Sequence, residues 1–170
     1  SVSGGLFRST TAGSSWQLVN GDASNQAITG ITKTVNGDYY VCTGEGLHYG
    51  AFGRGGGGML GGGIFKSTDG GNTFTVLPAT VPTANSRSAE YAAMSVIDAD
   101  PSTRGRVYVA TNRGMRRTDD GGQTWVNPVE NSPGLSPSEW LNGITDFTVA
   151  SDGSVWVKSS TQILYSPDGS

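Results

Sequence analysis

Ser67-Thr68-Asp69-Gly70-Gly71-Asn72-Thr73-Phe74 and Thr118-Asp119-Asp120-Gly121-Gly122-Gln123-Thr124-Trp125 are two copies of one octet, S/T-x-D-x-G-x-T-aromatic. A looser copy, Ser9-Thr10-Thr11-Ala12-Gly13-Ser14-Ser15-Trp16, carries Thr11 in place of the aspartate, and a fourth begins at Ser166-Pro167-Asp168-Gly169. The third positions are 11, 69, 120 and 168, giving spacings of 58, 51 and 48 residues. A period of this length marks an array of supersecondary units that bury their apolar faces against one another.

The octet reads as a hairpin turn. Gly71 and Gly122 supply positive φ at little steric cost. Asp69 and Asp120 can accept hydrogen bonds from turn amides, and the hydroxyls of Ser67, Thr73, Thr118 and Thr124 can tie the two ends together. The closing rings Phe74, Trp125 and Trp16 are expected to pack into their sheets. Each aspartate, Asp168 included, recurs with its own turn and does not converge on one site, which favours turn architecture over metal ligation or catalysis.

The flanks of each octet are alike. A short strand leads in at Gly5 to Arg8, Gly63 to Lys66, Gly114 to Arg117 and Gln162 to Tyr165. Upstream lie Val- and Tyr-rich strands at Asp38 to Thr43, Arg106 to Thr111 and Ser154 to Lys158, and before those Ile28 to Val35, Tyr91 to Ile97 and Ile144 to Ala150. Gly, Asn and Asp punctuate the junctions, and no window has a helical period. The fold class expected is all-β: a β-propeller of four-stranded antiparallel blades.

The octets resemble the Asp-box, or BNR, repeat of sialidases, sortilin-type receptors, xyloglucan-degrading glycoside hydrolases and photosystem assembly factors. Asp100-Pro101-Ser102 through Arg106-Val107-Tyr108-Val109-Ala110-Thr111 to Trp125 is similar to a blade of that superfamily. Thr43-Gly44-Glu45-Gly46, a long loop, and Gly63 to Asp69 resemble secreted bacterial members with sortilin-like propellers. The resemblance covers nearly the whole chain. It implies the propeller strongly and the activity weakly, because such a fold hosts enzymes, receptors and assembly factors.

The expected organisation is one propeller segment: 1–20 as the third and fourth strands of a blade, 21–80 and 81–128 as full blades, and 129–170 as the first three strands of another. That is about three and a quarter blades, where propellers have about 4–8. Remaining blades of the same polypeptide, or another chain, are the expected completion.

The 170 residues include 27 Gly, and the net charge of −3 argues against a general nucleic-acid binder. No apolar run approaches the roughly 18 residues of a transmembrane helix. The single Cys42 excludes an internal disulfide and a thiolate zinc site, and no cofactor or metal is implied. The low-charge, Gly/Ser/Thr/Asn-rich make-up points to a secreted, periplasmic or cell-surface protein.

Three constellations are candidates for function. Gly44 to Gly63 holds eleven Gly in twenty residues and displays His48, Tyr49, Phe52 and Arg54 from a blade loop where the next blade has only Asn112-Arg113. Long loops of this kind are often functional. With Arg113 and with Trp140, which precedes an inner strand, these are the candidate binding residues. Arg104, Arg106, Arg113, Arg116 and Arg117 are five of eleven basic residues within fourteen positions and could grip an acidic partner, although strand alternation scatters neighbours to opposite faces. Asp98, Asp100, Asp146 and Glu45 are the candidate paired carboxylates of a glycosidase, which stand about 5–9.5 Å apart. For Asp98 and Asp100, beside an Asp-Pro step, the turn reading is favoured. No sialidase centre can be assigned, since the Phe-Arg-Ile-Pro motif is absent.

The function expected is a non-catalytic binding or scaffold module that contacts a protein partner or a glycan through its blade loops. The alternatives are a glycoside hydrolase fragment of xyloglucanase or sialidase type, and an assembly factor of a membrane protein complex.

Overall fold

The first three octets close hairpins, and the hairpins set the sheets. The computed structural model describes residues 4–21, 27–45, 59–86, 89–128, 144–159 and 162–169. The first octet joins β1 (Phe7–Arg8) to β2 (Gln17–Leu18) as a two-stranded antiparallel sheet. The second sheet contains β3 (Asn20–Gly21), β4 (Ile28–Lys33), β5 (Tyr39–Thr43), β6 (Phe65–Ser67) and β7 (Thr73–Val76), in the order β3-β7-β6-β5-β4. The third is β8 (Met94–Ala99), β9 (Val107–Thr111) and β10 (Gly114–Thr118), and the fourth is β11 (Asp146–Val149), β12 (Val155–Lys158) and β13 (Ile163–Ser166), each in sequence order. The only described helix is a single 3-10 turn at Pro78–Thr80.

The structure departs from the sequence expectation in three places. The second sheet has the expected four antiparallel strands and gains a fifth, β3, parallel to β7 through Asn20 and Thr73. In the third sheet the fourth strand is reduced to one bridge between Arg117 and Val126, and Pro128, with no amide hydrogen, cannot extend the ladder. Strand β8 begins at Met94 and not at Tyr91, because Tyr91 has φ +61°, a left-handed conformation that breaks extended backbone.

Alternation distributes the core between the sheets. In β9, Val107 and Val109 face Tyr40, Ile64, Met94 and Ile97 on one side. Tyr108 and Ala110 face Met115, Phe147, Val155 and Val157 on the other. In β5, Tyr40 and Cys42 enter the first of these clusters, while Val41 joins Val19, Phe65 and Phe74. A sheet buried on both faces in this way is held by its neighbours on either side. The first strands β4, β8 and β11 pack in succession, β4 on β8 and β8 on β11.

Candidate functional site

The two full octets are held by the same bonds. The Ser67 hydroxyl donates to Asp69 Oδ1 at 2.7 Å and accepts the Gly71 amide at 2.9 Å. Asp69 also takes the Asn72 amide at 2.9 Å, and its Oδ2 takes the Thr73 hydroxyl at 2.7 Å. Asp120 repeats the set with Thr118 at 2.8 Å, the Gln123 amide at 2.9 Å and the Thr124 hydroxyl at 2.6 Å, while the Gly122 amide reaches Thr118 at 2.9 Å. The amide and hydroxyl of Thr73, with Ser67, hold the Asp69 carboxyl well below the usual range, and Thr124 does the same for Asp120. In the first octet the shorter Thr11 hydroxyl still takes the Ser15 amide at 2.9 Å. In the fourth, Ser166 donates to Asp168 at 3.2 Å. Phe74 is 1% exposed, and Trp125 packs partly buried with its ring 6.2 Å edge-on from Tyr91. Trp16 does not pack as expected: it is 62% exposed beside an open cleft of about 390 Å³. Its two-residue strands offer no sheet face broad enough to cover an indole.

From one sheet to the next, a paired tyrosine and cation hold the octet of the following sheet. Tyr40 and Lys66 are cross-strand partners, and both donate to the carbonyl of Gly121, at 3.0 and 3.2 Å. Tyr108 and Arg117 are cross-strand partners, and both donate to the carbonyl of Gly169, at 3.0 and 2.5 Å. Gly121 and Gly169 are the fourth residues of their octets. Burial opposes the charge on Lys66, but Tyr40 and Asp38, 3.0 Å away, outweigh it and raise its pKa.

At the other end of the strands the Gly-rich insertion leaves the sheet through a closed neck. The Glu45 amide donates to the Met59 carbonyl at 3.0 Å, and the Met59 amide donates back to the Glu45 carboxylate at 2.8 Å. Below this clamp, buried Thr43 takes the Gly62 amide at 3.0 Å and donates to the Gly63 carbonyl at 2.7 Å. The Gly61 amide reaches the Ala92 carbonyl at 2.8 Å. A Cβ on Gly61 would lie 2.5 Å from the Thr43 backbone, and one on Gly44 would lie 2.4 Å from the Ala92 carbonyl oxygen. Glu45 is thus a structural clamp. Tyr91 precedes Ala92, and burial together with Glu90 pushes its pKa up to about 12.

Each remaining candidate carboxylate accepts a nearby backbone amide: Ala99 for Asp98, Phe147 for Asp146 and Ser102 for Asp100. Asp98 ties the inner strands together: its Oδ1 takes the Thr32 hydroxyl at 3.3 Å and the Ala99 amide at 2.9 Å, and its Oδ2 takes the Val149 amide at 3.3 Å. Asp146 is exposed at the opposite end of β11, three residues or about 10 Å along the strand from Val149. Asp100 is 1% exposed and caps its turn through Ser102 and Thr103 at 2.6 to 3.0 Å, and its other oxygen is 3.6 Å from Arg106. Burial works to raise the Asp100 pKa, but the Ser102 bonds outweigh it and leave it lowered. The arginines are largely engaged at home: Arg106 and Arg117 share Asp119 at 2.6 and 3.0 Å, and Arg116 holds Glu90 at 2.5 Å. Arg113 is exposed in the two-residue turn between β9 and β10. Cys42 is buried, which lifts its thiol to about 12 and leaves it inert as a nucleophile. His48, Tyr49, Phe52, Arg54 and Trp140 lie outside the described residues. Among the described residues no group of acidic, His or Cys side chains could hold a metal, and no helix is long and apolar enough to cross a membrane.

No protein-family model matches the chain, and no curated protein does. Solved structures do. An ancestral GH74 enzyme superposes with a TM-score of 0.66 at 21% identity, over 92% of this chain and 19% of that one. The GH74 xyloglucanase from Xanthomonas campestris gives 0.63 at 17%, over 99% and 27%. YCF48 bound to D1 peptide gives 0.53 at 18%, over 94% and 41%.

The chain is part of a β-propeller. It spans between 19% and 41% of the length of these matched chains. At such identities the likeness is one of fold. The sequence did not single out the neck clamp or the tyrosine–cation pairs. The signal available for the pairs was the basic residue preceding the second and third octets, Lys66 and Arg117, opposite a strand tyrosine.

Proposed function

We propose that this chain is a non-catalytic binding module, a propeller segment that presents residues 46–58 from a rigid neck to a glycan or protein partner. The observation behind this is the pair of hydrogen bonds between Glu45 and Met59 above glycines that admit no side chain. A neck of this kind fixes the base of a loop that carries His48, Tyr49, Phe52 and Arg54. A partner then meets a prepositioned base and less ordering entropy has to be spent on binding. The octets are read as Asp-box turns of an exported or surface-borne protein, by their resemblance to that repeat.

Hydrolysis is the second reading, favoured by the GH74 neighbours. Against it, both oxygens of Asp98 are bonded, and Asp146 lies at the far end of its strand. The test is affinity electrophoresis of the chain in gels containing xyloglucan, β-glucan or mannan, alongside a variant with residues 47–57 replaced by a short Gly-Ser linker. Retardation by a polysaccharide, lost in the variant, supports the module. Equal retardation of both proteins contradicts the loop's role. Release of reducing sugar by the chain, abolished by Asp98→Asn, would favour the enzyme.

A further inference from the structure

The sulfur of this chain sits in Cys42, Met59, Met94 and Met115. Cys42 and Met94 are 0% exposed and Met115 is 1% exposed, each inside a core cluster. Burial also keeps the Cys42 thiol protonated, so it offers no thiolate to an oxidant. Met59 is 41% exposed. An oxidant arriving from solvent therefore meets one sulfur, and that sulfur belongs to the neck of the Gly-rich insertion.

Met59 is fixed through its backbone. Its carbonyl takes the Glu45 amide at 3.0 Å, and its amide donates to the Glu45 carboxylate at 2.8 Å. A thioether is only a weak acceptor and does not contest that amide. A sulfoxide oxygen is a strong acceptor on the same flexible side chain. It can fold back to accept the residue's own amide, the kind of local side-chain bond that competes with the bonds a backbone otherwise makes. Oxidation therefore sets a second acceptor against Glu45 for one N–H.

We propose that Met59 is an oxidation switch on the neck, with a peroxide as the oxidant. The sulfur lone pair attacks one oxygen of hydrogen peroxide. The S–O bond forms, the O–O bond breaks, and the proton on the transferred oxygen passes to the departing hydroxide, which leaves as water. The sulfur is oxidised by two electrons and the peroxide is reduced. The sulfoxide then draws the Met59 amide from Glu45, and the base of residues 46–58 loses one of the bonds that fix it. A thiol-dependent sulfoxide reductase reverses the change. The consequence for a partner rests on the binding role proposed for that loop, and the chemistry at the neck does not.

The test is treatment of the folded chain with dilute hydrogen peroxide, followed by peptide mass mapping and by amide exchange read by NMR. Met59 is expected to gain one oxygen atom before Met94 or Met115 gains any, whereas in concentrated urea the methionines should react alike. After oxidation the Met59 amide is expected to exchange several-fold faster. The Glu45 amide, whose acceptor is a carbonyl that a sulfoxide does not contest, should keep its protection. Met59→Leu retains the backbone bonds, and its exchange should not respond to peroxide. Uptake at Met94 or Met115 as fast as at Met59 overturns the proposal. So does an oxidised chain whose Met59 amide exchanges as before, or a Met59→Leu variant that peroxide loosens equally. A chain that no polysaccharide retards would count against the loop's binding role and leave these readouts standing, so the two fail separately.

Discussion

Tyr40 of β5 donates its hydroxyl to the carbonyl of Gly121, eighty-one residues further along the chain, at 3.0 Å. A bond from one sheet to the octet of the next is the unit that orders this propeller. Tyr40→Phe keeps the ring in the core and leaves Lys66 on the carbonyl. The expected cost is about 1 kcal/mol, the net worth of one hydrogen bond. Urea titration measures it, and an unchanged midpoint would show the bond to be idle.

The octet aspartates should make stability depend on pH. Their folded pKa is depressed, so their contribution is fully present above the unfolded value of about 3.9 and is lost as pH falls through the folded value. The urea midpoint is therefore expected to decline below about pH 4. In Asp69→Asn with Asp120→Asn, an amide nitrogen faces donors that the carboxylate accepted. That variant should be less stable at pH 7 and show a flatter acid decline. Parallel curves for the two proteins would contradict the assignment.

How much of this was legible in the sequence depends on how local the forces are. The octet could be read because Ser67, Asp69 and Thr73 satisfy one another within seven residues. The all-β fold followed from that period. Trp16 was misjudged because the repeat was copied onto it without the broad sheet that covers Phe74. Asp98 could be placed on an inner strand. That its carboxylate would be occupied by Thr32 and Val149, sixty-six residues before and fifty-one after, needed the three strands in space. The same distance hid the Tyr40–Gly121 bond.

The two tryptophans that close octets should separate cleanly. Trp125→Ala removes a ring packed on Tyr91 and is expected to cost about 3 kcal/mol. Trp16→Ala, at an exposed position, should fall within about 0.5 kcal/mol of no effect. Denaturant midpoints of the two variants decide it, and equal losses would contradict the packing described.

The neck should resist the smallest addition. Gly61→Ala drives a methyl group into the Thr43 backbone and is expected to cost about 1–3 kcal/mol as overpacking. It should also speed exchange of the Met59 amide, which Glu45 holds. Hydrogen exchange read by NMR checks this, and full retention of Met59 protection would show the neck to be looser than its geometry implies.

The sheet-to-octet pairs are the central claim, and a double-mutant cycle tests them most directly. Tyr40→Phe and Lys66→Met act on one carbonyl, so they are expected to couple by about 0.5 kcal/mol or more. Tyr40→Phe and Tyr108→Phe act on separate carbonyls and should add to within about 0.3–0.5 kcal/mol. Coupling in the first cycle with additivity in the second supports the account. Strict additivity between Tyr40 and Lys66 would contradict it.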